Sequence, residues 1–181
     1  VSPPLPVHRP RPVHPVQREP SPPVRFRAPR GPLRRRRLEQ ISQRLLRQAP
    51  GAVVIGHGPG FWAEISSDPP DDPGVVYPTG PVRGEGSLLR LFRAYTNLYA
   101  DLSARSGFNA ITRDPDFGVA FLNEFQDRLM YGSDTCFAGP GDRLPILPHL
   151  EGLRDAGAIS AETFAKIAGG NARRILTRLG G

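Results

Sequence analysis

Three absences narrow this sequence before any motif is read. One cysteine, Cys136, stands among 181 residues, so no disulfide can form within the chain and a reducing compartment is expected. No apolar run approaches the roughly 20 residues that cross a bilayer, and the first residues carry no apolar signal-peptide core. These two points lead to the expectation of a cytoplasmic protein with no membrane partner. Lysine is also nearly missing, with Lys166 alone against 23 arginines.

What is present is distributed unevenly. A formal charge of +7 suggests nucleic acid until its location is considered. Residues 1–37 hold 10 of the 24 basic residues and one acid, Glu19, which leaves 14 basic and 16 acidic residues in 38–181. The larger part is therefore slightly acidic, and a nucleic-acid partner is not expected for it. Residues 1–37 also hold 11 of the 22 prolines, together with His8 and His14. Proline at that density blocks helix and central strand, and there is too little apolar surface to offset the entropy of ordering. This segment reads as a disordered Pro/Arg-rich tail. Its Arg34-Arg35-Arg36-Arg37 run is suited to phosphates, and Pro20-Ser21-Pro22-Pro23-Val24-Arg25 has the spacing of a polyproline ligand. Arginine, proline, glycine and alanine have GC-rich codons and the sequence opens on Val1, so an out-of-frame or truncated reading stands beside a genuine tail.

From Leu38 onward the pattern changes to alternating helices and strands. Leu38, Ile41, Leu45 and Leu46 share one helical face. Ala52–Ile55 is an apolar strand followed at once by Gly56-His57-Gly58-Pro59-Gly60, a glycine-rich loop that presents a histidine. Residues 66–86 form a long loop that should lie over the same end of the sheet, where Phe61, Trp62 and Tyr77 are candidates to line a substrate pocket, with packing of the loop onto the barrel rim the expected role of at least one of them. A helix over 87–95 turns Leu88, Leu89 and Phe92 inward. Residues 97–103 form a second strand, whose Asp101 reads more readily as the cap of the next turn than as a mouth residue. Asp114-Pro115 starts a helix carrying the Phe117, Phe121 and Phe125 stripe. Arg128–Ser133 is the third strand, and it delivers Asp134 at its C-terminal end. Helices follow after Pro145, with His149 as a surface or packing residue, from Ser160 to Ala168, and from a capping Asn171 through Ile175, Leu176 and Leu179. Strands alternating with helices mean parallel β/α units, and catalytic groups of a β/α barrel stand at the C-terminal strand ends.

Four stretches carry a family resemblance: Val54-Ile55-Gly56-His57-Gly58-Pro59-Gly60-Phe61-Trp62, Asn97 to Ser103, Leu129-Met130-Tyr131-Gly132-Ser133-Asp134, and Gly170-Asn171-Ala172-Arg173-Arg174-Ile175-Leu176. In order and spacing they resemble the last three β/α units of the amidohydrolase-related family, metal-dependent hydrolases and decarboxylases built on a TIM barrel. The resemblance implies an α/β fold, a partial (β/α)8 barrel over 38–181, and catalytic roles for His57 and Asp134. It also implies that both approach a divalent metal, zinc first and manganese second. Such an ion lowers the pKa of bound water to about 7, and a neighbouring carboxylate can take the proton. The family's His-x-His pair is not matched, since five residues separate His8 from His14 in proline-rich sequence.

The resulting expectation is a hydrolase acting on a small carbonyl- or carboxyl-bearing substrate, with the isolated chain inactive. The alternatives are a related decarboxylase, or a non-catalytic protein whose basic arm binds nucleic acid or a partner. An open sheet also exposes strand edges, which a homo-oligomer would cover.

Overall fold

A computed structural model describes residues 40–180 apart from 41, 71, 73 and 136–143. The expectations placed on residues 1–37, Leu38, Ile41 and Cys136 lie outside the described residues. Three parallel strands, β1 (Val54–Gly56), β2 (Leu98–Asp101) and β3 (Leu129–Met130), form one open sheet in the order β1-β2-β3. Val54 pairs with Leu98, and Ala100 pairs with Leu129. Each strand is shorter than its sequence pattern. β3 is cut shortest because the Tyr131 N–H leaves the ladder and donates to the Ile167 carbonyl at 2.8 Å.

The helices are α1 (residues 42–48), α2 (Pro59–Trp62), α3 (Ser87–Ala94), α4 (Ala104–Thr112), α5 (Pro115–Glu124), α6 (Ile146–Asp155), α7 (Ala161–Ala165) and α8 (Asn171–Gly180). They cover one sheet face. Strand alternation puts Leu98, Ala100 and Leu129 on that face, all at 3% exposure or less. On the other face Ile55 of β1 is 48% exposed while Met130 of β3 is 6% exposed, so that face is open on the β1 side.

The core is centred on the phenylalanine stripe of α5. Phe121 and Phe125 are buried, and Phe92 of α3 meets both, with ring centroids 6.0 and 4.9 Å away. Burying each such ring contributes about 1.5–3 kcal/mol. Arg128, half-buried over the Phe92 and Phe125 rings, donates to the carbonyls of Phe92 and Tyr95. It thereby satisfies the open C-terminal end of α3 at the point where β3 begins. Asp114 starts α5 as its sequence indicates: one oxygen accepts from the Phe117 N–H at 3.2 Å. The other accepts from Val82 N–H at 2.9 Å and so fastens the long loop to the same helix.

Several expectations need correction. Leu45 points outward at 51% exposure while Leu46 is buried, because the stripe of α1 is narrower than its periodicity suggested. Helix α4 has no counterpart in the sequence reading. Its inward face is made of Ser106, Gly107, Ala110 and Ile111, and a Cβ at Gly107 would fall 2.5 Å from the Leu102 backbone. Close packing through small residues leaves little apolar periodicity to read. The helix begun at Ser160 is α-helical over Ala161–Ala165 and widens into a π turn over Lys166–Gly170, so helical backbone runs through Ala168 as expected, and Gly169, out of helical geometry, separates it from α8. Asn171 is itself helical and does not cap α8. Its amide instead donates to the carbonyls of Gln126 and Leu129, at 2.6 and 2.8 Å, and so holds the start of β3. In α8, Ile175 is buried, Leu176 is 70% exposed, and the side chain of Leu179 lies outside the described residues.

Candidate active site

The C-terminal ends of the three parallel strands point the same way, and the chain leaving them brings His57, Asp101 and Asp134 together. β1 ends at Gly56 and His57 follows. A Cβ at Gly56 would fall 2.0 Å from the Phe61 ring, so only glycine lets α2 fold back against the strand. Gly58, with φ +85, turns the chain into that helix. His57 is thereby held between two sharp backbone features, with its side chain 46% exposed.

β2 ends on Asp101. Its two oxygens lie 3.0 and 3.2 Å from His57 Nδ1. Oδ1 also accepts from the Ser103 N–H at 3.1 Å and from the Ser103 hydroxyl, which itself lies 3.3 Å from His57 Nδ1. Asp101 thus does both things its position allowed: it closes the turn after β2 and faces the mouth. Period two along β2 puts it on the Tyr99 face, and β2 ends level with β1; together these are the signal that a turn-capping reading passed over.

After β3 the chain reaches Asp134, whose Oδ2 lies 3.8 Å from His57 Nε2. Among the described residues the non-glycine residues with positive φ are Asp134, at 50, and Ala104, at 56. Both follow strand C-terminal ends. Aspartate tolerates this region, but alanine is strained there by roughly 1–2 kcal/mol. Such strain is held where the surrounding structure fixes a functional turn. The hydrogen bond to Asp101 raises the His57 imidazole above its ordinary pKa; partial burial opposes this, and the charges of Asp101 and Asp134 add to it. A histidine between two carboxylates, at an accessible mouth, can hold a proton and pass it on.

The three pocket candidates separate. Trp62 is only 3% exposed and belongs to the core, its ring 5.1 Å from Phe61 and 6.1 Å from Phe121. Phe61 lies against Gly56 on the helix-covered face and lines an apolar cavity of about 420 Å³ between α1, α3 and the sheet, with Leu46, Val54 and Leu88. Tyr77, 39% exposed in the long loop, lies under the Arg105 guanidinium at 5.5 Å, at the start of α4 and so beside the end of β2. The loop is closed at its base by Ser67 N–H donating to the Arg83 carbonyl at 2.9 Å and by Arg83 N–H donating to Ser66 Oγ at 2.9 Å. His149 is far along the chain on α6, edge-on to Phe108 at 5.8 Å, as a packing residue.

Among the described residues no group of three or more His, Cys, Asp or Glu side chains is placed to hold a metal ion. His57 Nε2 and the Asp134 carboxylate are two donors, where a zinc site takes three or four from the protein. These residues do not make a metal centre by themselves; what they can do is handle protons. No helix among the described residues is long and apolar enough to cross a membrane.

No curated protein and no solved structure matches the chain. The amidohydrolase family profile matches residues 34–178, spanning all three strands and the histidine and aspartate at their ends. With the parallel β/α order and the shared mouth, this places the chain in the amidohydrolase family.

Proposed function

We propose that this chain serves the metal-dependent hydrolysis of a small molecule bearing a carbonyl or carboxyl group. The observation that carries the reading is the 3.8 Å approach of His57 Nε2 to Asp134 Oδ2 at the C-terminal mouth of a chain that belongs to the amidohydrolase family. In this reading Asp134 accepts the proton of the attacking water, and protonated His57 donates from Nε2 to the carbonyl oxygen as negative charge develops on it. Both groups are exposed enough to meet a substrate. Zinc, or manganese in its place, is the ion that family membership supports, and its remaining donors come from outside the described residues. A barrel of eight strands provides room for them.

The test is a completed barrel, with residues 38–181 joined behind the β/α units of a family member that the described strands do not supply. Esters, amides and lactones are offered in parallel with aromatic carboxylic acids, with added zinc or manganese. Metal-dependent release of alcohol, amine or ring-opened acid supports hydrolysis. Release of CO₂ from the acids, with the esters, amides and lactones untouched, replaces it with decarboxylation. A folded, metal-loaded barrel inert to both sets overturns the reading.

A further inference from the structure

We infer that Asp101 is a positioning residue: it fixes the His57 tautomer, with the proton on Nδ1 and Nε2 turned toward Asp134 and the mouth. The inference rests on the proposed function only for the use His57 makes of Nε2; the tautomer itself follows from geometry.

An ionised carboxylate only accepts hydrogen bonds, so a partner within hydrogen-bond reach of it must bring the proton. Asp101 stands 3.0 and 3.2 Å from Nδ1 through its two oxygens, which leaves Nδ1 as donor. The same carboxylate is held from behind by the Ser103 N–H and hydroxyl, and its side chain is 24% exposed against 46% for His57. It is therefore the fixed member of the pair and the imidazole the adjustable one. Nε2, by contrast, is 3.8 Å from Asp134, beyond a hydrogen bond, so that contact draws the neutral ring's proton less strongly than Asp101 does at Nδ1. In a neutral imidazole one nitrogen carries the proton and the other a lone pair, and the partner of the first decides which. Asp101 therefore presents the lone pair at the mouth when His57 is neutral and a donor there when it is protonated. The backbone reinforces this: β2 places Asp101 at its last residue, and the strained turn at Ala104 follows two residues after Leu102.

The experiment is a long-range nitrogen–proton correlation spectrum of the 181-residue chain, at a pH above the titration of His57. The His57 signals are identified by their loss in His57→Gln. In the wild-type chain Nδ1 is expected to resonate as the protonated nitrogen and Nε2 as the bare one. In Asp101→Asn the side-chain amide can donate to Nδ1, and the pattern is expected to invert. Ser103→Ala keeps the carboxylate and is expected to keep the wild-type pattern. A wild-type proton on Nε2 overturns the inference, even if Asp101→Asn does not fold. So does an unchanged pattern in a folded Asp101→Asn, or an inverted one in Ser103→Ala, which would give the role to the serine. Absence of turnover would remove the proposed function and leave these spectra as they are.

Discussion

His57 and Asp134 meet at 3.8 Å although their strands are not neighbours. With strands about 4.8 Å apart, β1 and β3 are separated by roughly 10 Å. The gap is bridged because His57 follows directly on β1 while Asp134 follows four residues beyond β3, in the left-handed turn that brings the chain back. Asp101 of β2 stands between them. The charges of both carboxylates favour protonated His57, with the Asp101 hydrogen bond as the largest cause. Both Asp101→Asn and Asp134→Asn are therefore expected to lower the His57 titration midpoint, the first by more. Following the His57 ring proton by NMR across pH checks this, and an upward move in either variant would contradict it.

Two histidines give the stability of the chain opposite pH limbs. His57 titrates above its ordinary 6.5 in the fold, so its contribution is complete below 6.5 and is lost as pH rises through the raised value. Burial lowers His149 below 6.5, and its Nε2 is buried without a partner among the described residues. Its neutral form is the one that fits, so its contribution is present above 6.5 and is lost as pH falls through the lowered value. Denaturant midpoints measured below, at and above pH 6.5 should lose their alkaline limb in His57→Gln and their acidic limb in His149→Gln.

Asn171 holds β3 by two hydrogen bonds to backbone carbonyls, and β3 is the strand that leads to Asp134. Asn171→Ala leaves the carbonyls of Gln126 and Leu129 without these donors. A cost of about 1–3 kcal/mol is expected, since buried acceptors lose their partner. Chemical denaturation measures it, and a change near zero would show that these carbonyls find water.

The order of strands, the shared mouth, and the positions of His57 and Asp134 were legible because they depend on local features. Apolar runs, glycines beside a histidine and an Asp-Pro helix start all act over a few residues. The remainder depended on tertiary packing. Packing was expected of at least one among Phe61, Trp62 and Tyr77, and nothing local shows that it is Trp62, against which Phe121 packs. Helix α4 was invisible because its packed face is small rather than oily. Asn171 carries good capping chemistry, yet the carbonyls of Gln126 and Leu129 took its side chain. Asp101 was undervalued because its turn-closing bond is local while its bond to His57 spans 44 residues.

Purified alone, the 181-residue chain is expected to show no metal-dependent turnover of esters or amides, with only weak zinc binding. Two donors are a poor hold on a metal, and the open sheet leaves Ile55 in water. Isothermal titration with zinc, run beside an ester assay, checks both points. Tight one-to-one binding would mean that further donors reach the mouth, as they would if copies of the chain completed each other's walls.

The central claim is that Asp134 handles the proton at this mouth. Its most direct test is kcat of the completed barrel with and without Asp134→Asn, in protein matched for fold and metal content. A fall of roughly 10²–10⁴-fold is the expected result, the size of a lost general base. A folded, metal-loaded Asp134→Asn barrel that keeps its kcat would contradict the account.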